Sequence, residues 1–281
     1  MNAAQYAEKA GDLFVLPEAV TKIKQLIDDG CASITEVADI INYDPMIAAQ
    51  ILKIANSALY KFPSVITTIN KAIQVIGTDA AYDLVLAYGI SHAFKELDNE
   101  ETDFSQYWEQ AVSCGLLAKY LAQETPVKNP DKLFVCGLLH NIGELAVVKL
   151  DPLLAKRCSE FTQEQLPLAL QQQNLGFAYS DISTELLKAW GIPVEIYGPI
   201  SKQHDALTPA QSADERVLQL ARTLSLNNVY NEIYAPLDNI DKRQYQSLSL
   251  DVEDLEGALD FTNMQLLSTL AIFRPSAFTI Y

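Results

Sequence analysis

The pair His140-Asn141, set in Gly137-Leu-Leu-His140-Asn141-Ile-Gly143, carries the strongest chemical signal in the chain. A His followed by an Asp on a helix can grip one divalent ion, the His by a ring nitrogen and the Asp by an anionic oxygen. Here the second residue is Asn, which offers only a neutral carbonyl oxygen, a poor ligand for a catalytic metal. Cys136 lies four residues before His140, hence on the same helix face. With Cys114 or His204 it could form the sulfur and imidazole set that zinc prefers. The competing reading of Cys136 is a small buried thiol, because it sits between Val135 and Gly137 in an apolar stretch.

Other reactive residue types are less well grouped. Ser91-His92 near the end of a helix lacks a carboxylate partner and an oxyanion pocket; a cationic His92 would suit the helix dipole instead. Asp181 and Glu185 share a helix face, as a solvated acidic face does. Tyr230 and Tyr234 flank Glu232 and read as packing, surface or interface tyrosines. There is no glycine-rich phosphate loop.

Composition narrows the function classes. The 281 residues carry 36 acidic and 20 basic side chains, a net charge of −16. Such an excess repels phosphate backbones and anionic membranes, and no run of Lys or Arg offsets it, so neither nucleic acid nor a membrane is expected as a partner. The four cysteines, Cys31, Cys114, Cys136 and Cys158, show no CxxC spacing and read as reduced thiols. The N-terminus lacks the apolar core of a signal peptide, and no stretch approaches ~18 consecutive apolar residues, so a cytoplasmic protein is expected.

The elements that position these residues are helices, and their punctuation recurs along the chain. Pro17 opens an amphipathic run through Val20, Ile23 and Ile27, closed by Gly30. Ser33 with Glu36 forms a capping box, and Asp44-Pro45 pairs an N-cap acceptor with a proline at the first helical position. Thr68 to Ile76 predicts a helix ended by Gly77, with Thr78-Asp79 capping the next. Asp103 is expected to cap a long helix through Cys114, and Asn129-Pro130-Asp131 to start the helix carrying His140. Asp151-Pro152, a Thr162–Gln165 capping box, and Ser180-Asp181 start three more; the last ends near Gly191-Ile-Pro193. A final helix runs from Asp251 to Phe273. Strand-like alternation is confined to Ser64-Val-Ile-Thr67 and Ala277-Phe-Thr-Ile-Tyr281. The expected fold is all-α, a multi-helix bundle.

Taken together, Leu16-Pro17-Glu18, Ile41-Asn-Tyr-Asp44-Pro45, Leu52-Lys-Ile-Ala-Asn56-Ser57-Ala58 and Ala72-Ile-Gln-Val-Ile-Gly77 form an ordered series. Trp108, Gly137-Leu-Leu-His140, Ile142-Gly143 and Trp190-Gly-Ile-Pro193 continue it. This series, from about Leu13 to His204, resembles the HDOD domain, a regulatory relative of the HD phosphohydrolases. The resemblance implies a helical HD-like domain over residues 1–205, divided into an N-terminal helical region (residues 1–100) and an HD-like region (residues 101–205). Residues 206–281 are then expected as additional helices packed on it. It also implies a bacterial signalling or regulatory module that acts through a protein partner and generally lacks catalysis. No cofactor or metal is expected.

By the same resemblance, an HD enzyme would hold its metal through four positions. The first falls on Gln110, just after Trp108; the second and third fall on His140 and Asn141. The fourth, a later carboxylate, would lie in Val217–Asn227, a segment with no acid and with Arg222 instead. Glu144 stands where a basic residue sometimes follows. The expected outcome is a degenerate pocket of Gln110, His140, Asn141 and His204, in which His140 serves packing. Two alternatives stay open: a surviving metal-dependent phosphohydrolase of nucleotides or cyclic nucleotides, and a nucleotide sensor using the same pocket.

Overall fold

The computed structural model describes residues 1–14, 16–28, 33–60, 62–94 and 104–273. Every regular element among them is a helix, as expected; Ser64–Thr67 forms no strand, and the tail 277–281 lies outside the described residues. Two compact units emerge: Met1–Phe14 with Glu101–Met264, and Val15–Glu100 with Gln265–Tyr281. Helix α1 (Ala3–Leu13) opens the first, held by a reciprocal capping box between Asn2 and Gln5.

The unit Val15–Glu100 contains α2 (Glu18–Asp28), α3 (Ile34–Tyr43), α4 (Pro45–Ala55), α5 (Ile69–Ile76) and α6 (Thr78–Ala93). Local chemistry sets most of these boundaries. Ser33 and Glu36 exchange hydrogen bonds at the start of α3, and the Asp44 carboxylate accepts from the Met46 and Ile47 amides ahead of Pro45. Thr68, expected as the first residue of α5, is instead its N-cap, and Gly77 ends the helix as expected. At α6 the expectation fails: Gly77 is the N-cap, with no side-chain cap, and Thr78 already lies inside the helix. Gly77 adopts φ +91, a conformation that favours glycine, so one residue ends α5 and begins α6. The expected stop at Gly30 and cap at Asp103 both lie outside the described residues.

Asn56 does more than end its own helix. Its Nδ2 donates to Leu52 O and Ile66 O, both at 2.8 Å, and its Oδ1 accepts from Ile66 N at 2.7 Å. The amide therefore satisfies both backbone groups of a residue ten positions away, while Ser57 Oγ bonds locally to Ile54 O. Asn56→Ala should cost about 2 kcal/mol, read as a lower urea midpoint at unchanged slope, because it strands two backbone groups.

The remaining helices build the unit Glu101–Met264. They are α7 (Ser105–Gln123), α8 (Pro130–Leu139), α9 (Gly143–Leu150), α10 (Pro152–Cys158), α11 (Pro167–Leu175), α12 (Tyr179–Ala189), α13 (Val194–Ser201), α14 (Ala213–Val229) and α15 (Lys242–Gln246). Residues 252–264 of α16 (Val252–Phe273) also belong to it. Helix α7 is its central element, buried along most of its length and packed against α8 and α14. Lys119 and Asp131 join α7 to α8 through a 2.7 Å ion pair, and Lys132 and Asp214 join α8 to α14 at 2.5 Å.

Caps at Asn129 and Asp151 stand where the sequence places them. The Thr162–Gln165 pair does not start a helix: it closes a turn, and α11 begins at Pro167. The last turn of α12 ends at Trp190, and Gly191 takes φ +66.

Three glycines on α7, α8 and α9 let helices approach closely. A Cβ on Gly115 would lie 2.8 Å from Phe134 O, and one on Gly137 2.6 Å from Gly115 N. One on Gly143 would lie 2.1 Å from Tyr179 O. These glycines bracket the His140-Asn141 pair and fix the helices on either side of it. The stretch Pro130–Leu150 is long and apolar enough to cross a membrane by those measures alone, but it comprises α8 and α9 and is mostly buried within the protein.

A candidate pocket at the α8–α9 junction

His140 does not ride within a helix as expected. It is the C-cap of α8, and residues 140–142 turn the chain into α9. Burial of the side chain is nearly complete, at 2 % exposure. Its Nδ1 lies 2.7 Å from Gly137 O; a carbonyl can only accept, so Nδ1 carries the proton and Nε2 the lone pair. The His140 carbonyl accepts from Gln203 Nε2 at 2.9 Å. Asn141 donates to Glu144 Oε2 at 2.6 Å, and Gly143 N–H donates to Ser183 Oγ at 2.9 Å.

These residues open on a cavity of about 60 Å³. Gln110 of α7, His140, Asn141 and His204 all line it, so the structure brings together the four positions singled out from sequence. Glu144, Tyr179, Gln203, Arg222 and Tyr230 line it too. Of these, Glu144 and Arg222 stand out in sequence only as departures from a pattern, and Tyr230 only as one of two tyrosines beside Glu232. Tyr179 and Gln203 carry no local signal at all. Tyr230 packs edge-on against Phe161 at 4.9 Å, while Tyr234 is buried and donates to Thr162 O at 3.0 Å.

Charge divides the cavity. Burial, with the nearby Arg222 charge, lowers the His140 imidazole to about 4 and that of His204 to about 2. Burial lowers Arg222 as well. Burial raises Glu144 to about 7 against the opposing Asn141 hydrogen bond, and raises the Tyr179 and Tyr230 hydroxyls, each with a contribution from Glu144. Arg222 thus acts on the histidines and Glu144 on the tyrosines. Arg222 Nε has no partner among the described residues, and its Nη2 donates only to Thr223 Oγ1 at 3.3 Å.

The pH dependence of stability follows with definite sign. Both histidines have folded values below their usual 6.5, so their contribution is present above pH 6.5 and lost as pH falls toward 4. Glu144 is raised above its usual 4.5, so its contribution is present below 4.5 and lost as pH rises through 7. Near pH 5.5 two histidines outweigh one carboxyl, and this cluster should weaken the fold by about 1 kcal/mol per pH unit of acidification. In the His140→Gln/His204→Gln double variant only Glu144 remains, so the contribution of the cluster should change sign. Urea unfolding at pH 7 and 5.5 reads both slopes.

The donor set does not fit a divalent ion. Besides the His140 imidazole the lining offers His204, the Glu144 carboxyl already bonded to Asn141, and neutral amides, where three or four converging ligands are usual, and the Arg222 charge opposes a second cation. Among the described residues no three His, Cys, Asp or Glu side chains form a group that could hold a metal. Cys136, the zinc alternative, turns its Sγ toward Ile196 O at 3.5 Å on α13. Cys114, Cys136 and Cys158 are buried thiols outside any disulfide, and burial raises the Cys114 thiol to about 12. Cys114 should therefore resist iodoacetamide in the folded protein and label only after unfolding, as peptide mapping by mass spectrometry would show. Elsewhere, Asp181 accepts from Ala178 N and Glu185 pairs with Lys188, so both have structural partners. His92 stacks on Tyr88.

An all-helical unit with a histidine at a helix junction, ringed by α7, α9, α12 and α14, is an HD-type fold. Comparison with known proteins narrows this: the HDOD domain matches residues 13–206, and the chain belongs to the HDOD family. A Treponema pallidum (strain Nichols) protein of uncharacterised function is 25 % identical over 207 residues, which cover 72 % of this chain and 40 % of that protein.

Among solved structures, an HDOD domain protein of unknown function from Geobacter sulfurreducens aligns over 99 % of this chain and 98 % of its own. Its TM-score is 0.68 at 20 % identity. A protein from Shewanella amazonensis SB2B named as a candidate phosphohydrolase covers 97 % and 98 %, with TM-score 0.72 at 22 % identity. A candidate signal transduction protein from Marinobacter aquaeolei VT8 covers 93 % of this chain but 59 % of its own, with TM-score 0.70 at 23 % identity. This chain therefore spans less than two thirds of both the Treponema and Marinobacter proteins.

Proposed function

We propose that the chain is a non-catalytic regulatory module of bacterial signal transduction, cytoplasmic, working through contact with a protein partner. One observation carries the non-catalytic reading: the α14 residue that shares the cavity with His140 is Arg222 rather than a carboxylate. A fixed guanidinium takes the electrostatic place of a metal without supplying an activated water, the nucleophile of a metal-assisted hydrolysis. Family membership supports the regulatory role, as does the name of the Marinobacter structure. For the partner, the side chains of Tyr43 and Met46, 88 % and 57 % exposed beside the Asp44-Pro45 cap, are apolar surface that a binding protein would cover.

Turnover tests the first half. Chelator-free protein supplied with Mn²⁺ should hydrolyse neither nucleotides nor cyclic dinucleotides above the rate of a His140→Ala control. Metal-dependent turnover abolished in that control would establish the phosphohydrolase instead. For the second half, affinity capture from the native cytosol should recover a signalling protein that Tyr43→Ser/Met46→Ser releases; no partner under any condition would remove the support.

A further inference from the structure

We propose that the cavity beneath Arg222 is a binding site for a phosphate-sized oxyanion, with Arg222 as its principal anchor. The inference rests on the reading that this site holds no catalytic metal, and it goes further by naming what the guanidinium is for. Arg222 is half-buried with its Nε fully enclosed, and a cation drawn out of water without an anionic partner is costly unless a ligand supplies the missing charge. Six ion pairs join other basic side chains to carboxylates among the described residues, and none of them includes Arg222. The acid in the same cavity, Glu144, is hydrogen-bonded to Asn141 and acts on Tyr179 and Tyr230 rather than on Arg222.

The rest of the lining suits the same ligand. His204 Nδ1 is buried without a partner and can donate in the matching tautomer, whereas the unpartnered Gln203 Oε1 can only accept and so could meet only a P–OH. Gln110 lines it as well, with an amide that can donate. A monohydrogen phosphate presents oxygens to the guanidinium fork and keeps one P–OH, which the lone pair of His140 Nε2 or the Glu144 carboxyl can accept. The cavity of about 60 Å³ opens to solvent and has room for a phosphoryl group. The phosphate is thus either free or the end group of a ligand that extends into solvent. Burial lowers Arg222 from its usual value but leaves a guanidinium charged at neutral pH, as the site requires.

Isothermal calorimetry and thermal unfolding of the full chain, with inorganic phosphate and with adenosine monophosphate, test the site. Sodium chloride at matched ionic strength is the reference. Phosphate should raise the melting temperature above the chloride reference, because a ligand that binds only the folded state stabilises it. Arg222→Met should remain folded and bind phosphate at least about tenfold more weakly. Arg222→Lys should keep some of the affinity, since charge survives without the planar fork. Tighter binding of the monophosphate assigns the site to a phosphorylated ligand, and equal or weaker binding to the free oxyanion; either outcome supports the site.

No phosphate or monophosphate effect beyond chloride would overturn it, as would full affinity in folded Arg222→Met. Metal analysis and Mn²⁺-dependent turnover on the same preparation separate the two readings. Phosphate silence without metal sinks the oxyanion site alone, whereas stoichiometric metal with turnover sinks the non-catalytic reading beneath it.

Discussion

Gly137→Ala is expected to destabilise the protein by about 3 kcal/mol, a large effect for one methyl group. The added Cβ would meet Gly115 N at 2.6 Å and the Cys114 carbonyl carbon and oxygen at 2.7 Å. All three are backbone atoms of α7, so no side chain can swing aside and the two helices must separate. Gly143→Ala faces the same problem against Tyr179 O and should cost at least as much. Gly11→Ala is the control. Its Cβ meets only Leu186 Cδ1 at 3.9 Å, and relief of the helical glycine penalty should leave stability unchanged or raised by up to about 1 kcal/mol. Equilibrium urea unfolding of the three variants checks the ranking. If Gly137→Ala were neutral, the close α7–α8 crossing would be wrong.

Arg222→Met is expected to act in the opposite direction and stabilise the protein by about 1 kcal/mol or more in phosphate-free buffer. The side chain keeps its methylene packing and loses a charge whose Nε has no partner among the described residues and whose Nη2 donates to Thr223 Oγ1. Relief of the Arg222 field should also raise the His140 and His204 values, which NMR titration of the ring protons would detect. A marked loss of stability would show that the guanidinium has a structural role.

Sequence reading succeeded where the physics is local. The Ser33–Glu36 box, the Asp44-Pro45, Asn129-Pro130 and Asp151-Pro152 starts and the long final helix are contests among residues two to four apart. The same chemistry misled where it was ambiguous. Thr162 and Gln165 bond as a capping box would, yet close a turn, and Thr78-Asp79 gave way to a glycine that turns the chain by itself. The break at His140 carried no warning, because Leu-Leu-His-Asn-Ile has neither proline nor glycine at the turn and the glycines flanking it serve packing.

The pocket was legible in a particular way. Gln110, His140, Asn141 and His204 do share one cavity, but only the family resemblance placed residues so far apart in sequence together. In sequence Arg222 marks only the absence of an acid; its lack of an anionic partner among the described residues, which gives it meaning, exists only in three dimensions. Tyr179 and Gln203 enter through helix packing and leave no trace in spacing.

Calorimetric titration of Mn²⁺ tests the account most directly, in the wild-type chain and in a Gln110→His/Asn141→Asp/Arg222→Asp variant. The wild type should show no saturable binding, while the variant, with ligands restored and the competing cation removed, should gain a site near one equivalent. Stoichiometric binding by the wild type, abolished by His140→Ala, would contradict it.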